Sequence, residues 1–572
     1  MGCNNGKVTH QEQEEKEVAD SSSADSFLIQ LKTILTRSVN DLANSNPNGS
    51  TTMIPDSQSH RLAQLILQSM ETPGRVYHSL EHVFGIITEG QMTDDPILLL
   101  SALFHDVIYY TIDQTFLPEQ ARALEGVLDD EKYQSERVLS LLPHIDDPLL
   151  QKVVQLYGLQ AGQALPKSGT NEFLSAIIGV TELSPWLDEL TLLKIATCIE
   201  ATIPFRPTNE QGQSPMDRLY QRLVHVVPDG TDETWIVSTV RKAAQMANGD
   251  LCSFDSLDRD FFLDSSWKLL PEARPRLLET DCPLSDYFAE LGRSLPGRTK
   301  FLTGAVRNIF QHFGNEPSDA VLERKQAQTR ENLRLVAAYA QIRTLQLQAL
   351  VGFCLLVGDD PTKLPARPLL NLPLVPSSAM SAVMDAKTTN GVVVVAESAT
   401  TATSNNNNNG KNGQESFLTT AQEAEIRHWL VTGRRTGFEW DPPASPLAAV
   451  LWDDLGGMEG VAAQTQATAA LQQQAQSQSS ETNNNTNVIR PEVEWLQTGA
   501  LSPATLTRIA SSLARVWPDR AVALQTVVLP QLLGASAKGE RNGGGGDLHS
   551  TTTTTTNNNN KGTTTTTTSI CT

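Results

Sequence analysis

An all-α fold is what this sequence predicts, and three observations predict it. From Ser26 to about Gln348 apolar residues recur at three- and four-residue spacing, the period of a helix with one buried face. Alternating apolar and polar runs, the mark of half-buried strands, are scarce in the same region. Pro and Gly interrupt the pattern at intervals and punctuate it into separate segments.

Taken in order, residues 1–25 are polar and rich in Glu and Ser, with too few apolar side chains to pack, and are set aside as a disordered tail. The chain begins Met1-Gly2-Cys3, like a myristoylation site beside a palmitoylatable cysteine, although Gly6 stands where that motif wants Ser or Thr. Membrane association through N-terminal acylation is therefore an expectation secondary to a cytoplasmic location. Phe27, Leu28, Leu31, Ile34, Leu35, Val39 and Leu42 place a helix over Ser26 to Leu42. Pro73-Gly74 signals a turn, and a helix starting near Tyr77 would carry His78 and His82 on one face, one turn apart. Asp95-Pro96 is a good N-cap and first-turn pair for a helix that is apolar nearly all round through Phe104, hence buried. A further helix ends in the run Ile199 to Arg206 at Pro204, and Phe261 to Glu272 reads as core packing.

Residues 26–345 are thus expected to form one helical domain, with a helical extension over 346–374. A Ser/Thr/Ala/Asn-rich linker covers 375–416. A small helical module follows at 417–537, with a low-complexity insertion at about 462–487 and Ser502-Pro503 opening one of its helices. Residues 538–572 are a disordered Thr/Asn-rich tail.

Composition excludes several functions. The 572 residues suffice for two to four domains. Lys plus Arg is 44 against 65 for Asp plus Glu, a net charge of −21, which disfavours binding to a phosphate backbone, so no nucleic-acid partner is expected. Six cysteines without Cys-x-x-Cys spacing form neither a zinc-finger pattern nor a dense disulfide framework, pointing to a reducing, intracellular setting. The longest apolar stretch, Ala349 to Val357, is far short of the ~20 residues a transmembrane helix needs. No Gly-x-Ser-x-Gly elbow or phosphate-cradling Gly-rich loop supports a serine hydrolase or a kinase.

The chemistry concentrates between Arg75 and Tyr109. A buried helix that ends in His105-Asp106 must give both side chains partners, because an unpaired carboxylate in a core is costly. One such partner is a metal ion, and mixed imidazole and carboxylate ligands suit Mn, Fe, Co, Ni, Zn or Mg without singling one out. The other is a purely structural pairing.

Arg75-x-Tyr77-His78-x3-His82 followed by Phe104-His105-Asp106-x-x-Tyr109 resembles the HD-domain metal-dependent phosphohydrolase superfamily, above all its predicted small phosphohydrolases. It is more distantly similar to cyclic-nucleotide phosphodiesterases, from whose Tyr-His-Asn-x-x-His motif Ser79 departs. The resemblance implies an HD-domain helical bundle holding one or two divalent ions. It also implies a small phosphorylated substrate, a phosphomonoester or phosphodiester with nucleotides among the candidates. His82, His105 and Asp106 would be ligands, and a downstream acid would complete the set: Asp250 first, with Asp255, Asp258, Asp260 and Asp188 as alternatives. His78 would be the general acid, a task suited to an imidazole. Arg75 and Tyr77 would meet substrate, with Arg75 pairing phosphate oxygens bidentately. Glu200, Thr202 and Arg206 are further candidates for the cleft, weighed against packing roles. A catalytically silent scaffold of the same fold, binding a nucleotide or a protein partner, is the alternative. No partner is expected for the 417–537 module in particular.

Overall fold

The computed structural model describes residues 10–45, 52–376, 418–479 and 491–539. Among these residues regular structure is helical and no β-strand occurs, so the fold is all-α. No helix among them is long and apolar enough to cross a membrane. The acylation-like start, most of the predicted linker and almost all of the Thr/Asn-rich tail lie outside the described residues.

Two hydrophobic cores organise the chain. The first gathers buried side chains from Leu31 to Ala247. At its centre runs the helix Pro96–Phe104, in which every residue from Ile97 to Phe104 is buried. Asp95 starts it, its carboxylate accepting from the backbone N–H groups of Ile97 and Leu98, with Pro96 supplying a pre-set first turn. Full burial of each Leu or Ile in this helix contributes roughly 1.5–3 kcal/mol. The same burial fixes where the helix ends, and therefore where His105 and Asp106 emerge. The first helix runs His10–Ser45, starting well inside the polar stretch set aside at the N-terminus. Several of the added residues, Glu, Gln and Ala among them, are good helix formers and extend it.

The second core departs from the predicted boundaries. It joins Phe254 through Leu372 with Ile426 through Leu532, so residues 254–345 pack with the C-terminal segments rather than with the histidine-bearing helices. No break falls at 345, because the helix Asp319–Leu356 runs straight across it. Nor are residues 417–537 a separate module. Gly352 shows why: a Cβ there would stand 2.6 Å from the Glu492 carbonyl oxygen, so only glycine lets the helix Pro491–Gln497 lie against the long helix. The helix Met458–Ser479 occupies most of the expected insertion, since Ala and Gln favour helix. It is tied in by Trp495 Nε1 donating to Gln464 Oε1 at 3.0 Å and Gln348 Nε2 donating to Thr468 Oγ1 at 3.2 Å.

A buried charge cluster fastens this core. Asp441, fully buried, accepts from Arg343 Nη2 at 2.5 Å and Trp267 Nε1 at 2.9 Å, with the Arg434 guanidinium also 2.9 Å away. The Tyr287 hydroxyl donates to its other oxygen at 3.1 Å. Burying three ionised groups costs several kcal/mol each, and only this degree of mutual pairing offsets it. Burial opposes ionisation of Asp441, but the two guanidinium groups hold its carboxyl below the usual range. Asp441→Ala would leave two buried cations unpaired, so it should cost about 3–5 kcal/mol in urea unfolding. Asp453→Ala, which breaks the half-exposed pair with Arg427, should cost under about 1 kcal/mol.

Candidate metal centre

The end of the central helix, the helix Leu80–Glu89 and the helix Glu233–Asp250 converge on one point. His82 comes from the first turn of Leu80–Glu89, His105 from the C-cap of Pro96–Phe104, Asp106 from the next residue, and Asp250 from the last position of Glu233–Asp250. One ligand atom each of His82, His105 and Asp250 lies within 4.8 Å of the others. His82 Nε2 is 3.1 Å from Asp250 Oδ1, and His105 Nε2 is 3.6 Å from it. Asp106 Oδ2 stands 2.9 Å from His105 Nε2 and 3.9 Å from His82 Nε2.

Hydrogen bonding prepares His105 for a cation. Its Nδ1 lies 2.8 Å from the Ala102 carbonyl oxygen, which can only accept, so Nδ1 carries a proton and Nε2 is the atom turned to the cluster. That Nε2 is buried and makes no hydrogen bond of good geometry, the position a metal ion would satisfy. Burial works against an imidazolium at His105, yet Asp106 and Asp250 raise its pKa well above the ordinary value. A bound cation would displace that proton. Burial lowers the pKa of His82 and keeps it neutral, as a ligand must be. Burial also opposes ionised Asp250, but His105 and His82 hold its carboxyl at about 2, and the neighbouring histidines likewise keep Asp106 ionised. Two imidazoles and two carboxylates make a donor set fit for a divalent transition metal or Mg.

Asp250 is the acid that reaches the cluster because the helix carrying it approaches unusually closely. A Cβ on Gly249 would sit 2.0 Å from Met92 Cε and one on Gly90 3.1 Å from Gly249 Cα, so neither position tolerates a side chain without a shift. The competing acids are engaged elsewhere. Asp255 pairs with Lys325, Asp258 with Arg435, Asp260 accepts from Trp429 Nε1, and Asp188 caps the helix Glu189–Ala201.

Two expectations need correction. The helix begins at Leu80 rather than near Tyr77, so His78 precedes it. The reason is Glu272: its Oε1 accepts the backbone N–H groups of Val76, Tyr77 and His78 at 2.8, 2.7 and 3.0 Å, directing that backbone away from a helical turn. Arg75 does not face the cleft as a phosphate contact. Its side chain is fully buried in a fork with the Asp113 carboxylate, and Nη1 donates to the Asp106 carbonyl at 2.6 Å. Arg75 thus braces the turn that carries Asp106. Glu200 and Arg206 likewise pair with each other, with Arg222 joining them, and the Thr202 hydroxyl donates to the Ile199 carbonyl.

Tyr77 stays at the site, its ring 4.5 Å from that of His82. With Ser79, His82, Asp250, Ser253 and Lys268 it lines a cleft of about 90 Å³ beside the cluster. Burial raises its pKa well above the ordinary tyrosine value, so it remains a neutral hydroxyl. Two residues escaped the sequence reading. Glu272 sits in a stretch that looks like packing, and no spacing rule links it to His78. Glu172, in the first turn of Thr170–Leu183, is pushed up to about 7 by burial, with the charges of Asp106 and Asp250 adding to the effect. An acid lodged among apolar helices was the available signal for both.

No family model matches the chain, and no curated protein or solved structure is similar to it. The site therefore stands on its geometry. Arg75→Ala should lower stability by about 3–5 kcal/mol in chemical denaturation, the cost of leaving Asp113 buried and unpaired. A purely ligand-binding arginine would leave stability within about 0.5 kcal/mol.

Proposed function

We propose that the chain is a metal-dependent hydrolase of a phosphomonoester or phosphodiester. The observation that carries this reading is the buried convergence of His82 Nε2, His105 Nε2 and Asp250 Oδ1. Asp106 would join them as a fourth ligand and His78 stands beside them, its ring 5.6 Å from that of His82. The resemblance of the Arg75–Tyr109 motifs to HD-domain phosphohydrolases supports the same conclusion. A bound divalent ion would lower the pKa of water and polarise a phosphoryl oxygen. The protein's own part is to exclude bulk water from a cleft of about 90 Å³ and to hold a proton on His78 for the departing oxygen. Burial disfavours that proton, but the carboxylates of Asp106, Glu272 and Asp250 raise the His78 pKa above the ordinary imidazole value.

A silent anion-binding scaffold is the second reading, and one observation favours it. A larger cavity of about 700 Å³ has Arg241, Lys242, Arg324 and Lys325 in its walls and shares Cys252 with the small cleft. Metal content separates the two. Elemental mass spectrometry of the purified full chain should find about one divalent ion per chain, and almost none in Asp106→Ala. Phosphoester panels in Mn, Mg, Zn, Fe, Co and Ni would follow. A wild type that retains no metal after reloading sinks the hydrolase reading.

A further inference from the structure

We infer that Glu272 is a positioning residue for a general acid, and that the site acts on phosphoesters of ordinary alcohols rather than on phosphoanhydrides. This rests on the hydrolase reading above. The argument begins with the division of labour within one carboxylate. Glu272 Oε1 accepts three successive backbone N–H groups, those of Val76, Tyr77 and His78. Its Oε2 lies 2.6 Å from His78 Nδ1. A carboxylate so engaged offers only acceptors, so Nδ1 carries a proton and Nε2 is the atom left for chemistry.

The ring is fixed from a second side. It stacks on Tyr109 with centroids 4.2 Å apart and planes at 27°, while Tyr77 meets it edge-on at 4.9 Å. Nε2 makes no hydrogen bond to any described residue, and the side chain keeps 14% exposure, enough for a ligand atom to reach it. A carboxylate behind an imidazole, with the far nitrogen open, orients the ring and stabilises its cationic form.

A held acid of this kind matters in proportion to the basicity of the leaving group. An alkoxide is a strong base and must be protonated as it departs, whereas phosphate leaving from an anhydride is a weak base and departs unaided. In the step, the water oxygen bonds to phosphorus and the phosphorus–oxygen ester bond breaks, its electron pair passing to the alcohol oxygen. That oxygen takes the His78 Nε2 proton. The proton shed by water goes to solvent, from which His78 is recharged.

The test uses the metal-loaded full chain and four probes: p-nitrophenyl phosphate, ethyl phosphate, their diesters in parallel, and inorganic pyrophosphate. Glu272→Gln keeps an oxygen for the backbone N–H groups and removes the charge behind His78, so the fold is preserved. The loss of kcat in this variant should be at least about tenfold greater on the ethyl ester than on the p-nitrophenyl ester, and His78→Ala should widen the gap to about a hundredfold. Equal losses on both esters would reduce Glu272 to a structural staple and overturn the inference. Faster hydrolysis of pyrophosphate than of ethyl phosphate by the wild type would overturn the substrate class. If the metal-loaded wild type cleaves none of the probes, the hydrolase reading falls, and the inference with it.

Discussion

One carboxylate joins the two halves of this molecule. Glu272 belongs to the helix Arg259–Ala273 of the second core, yet both its oxygens are spent on the segment Val76–His78 of the first. Four hydrogen bonds to one ionised group are strong because the acceptor is charged and largely withdrawn from water. Burial opposes the charge on Glu272, and the His78 ring with the backbone N–H groups restores it, holding the carboxyl below its usual range. Without that anchor nothing on the page would give His78 a defined tautomer, since the segment before Leu80 is not helical.

The metal cluster obeys a related constraint. Two imidazoles and two carboxylates are collected where four apolar-lined elements meet, so their charges must cancel locally. Protons do this in the metal-free chain, and a divalent cation would do it with better geometry. Arg75 lies just outside the balance. By pairing with Asp113 and holding the Asp106 carbonyl, it fixes the backbone of the turn that presents Asp106.

The second core gives the site its rigidity from a distance. Asp441 draws Arg343, Arg434, Trp267 and Tyr287 together from segments far apart in the chain, and Trp267 is on the same helix as Glu272. The position of the positioning residue is therefore set by residues beyond 420, in a region that shows no catalytic motif of its own. Coupling of this sort passes through a rigid helix packed on both sides rather than through any ligand.

What the sequence alone determined is local. The all-α class follows from apolar periodicity, and the caps at Asp95-Pro96 and Ser502-Pro503 follow from side chains that bond to backbone two or three residues away. The His105-Asp106 pair was legible because it ends a helix apolar on every side, where polar groups demand partners. Which partners was decided by tertiary structure. Asp250, and not Asp255, Asp258 or Asp260, reaches the cluster because Gly249 and Gly90 permit close helix approach. Arg75 turned inward because Asp113 lies within its reach, and Glu272 met His78 across 194 residues of chain. Periodicity reports which face of a helix is apolar, but not which distant face it covers, and every one of these pairings depends on that second choice.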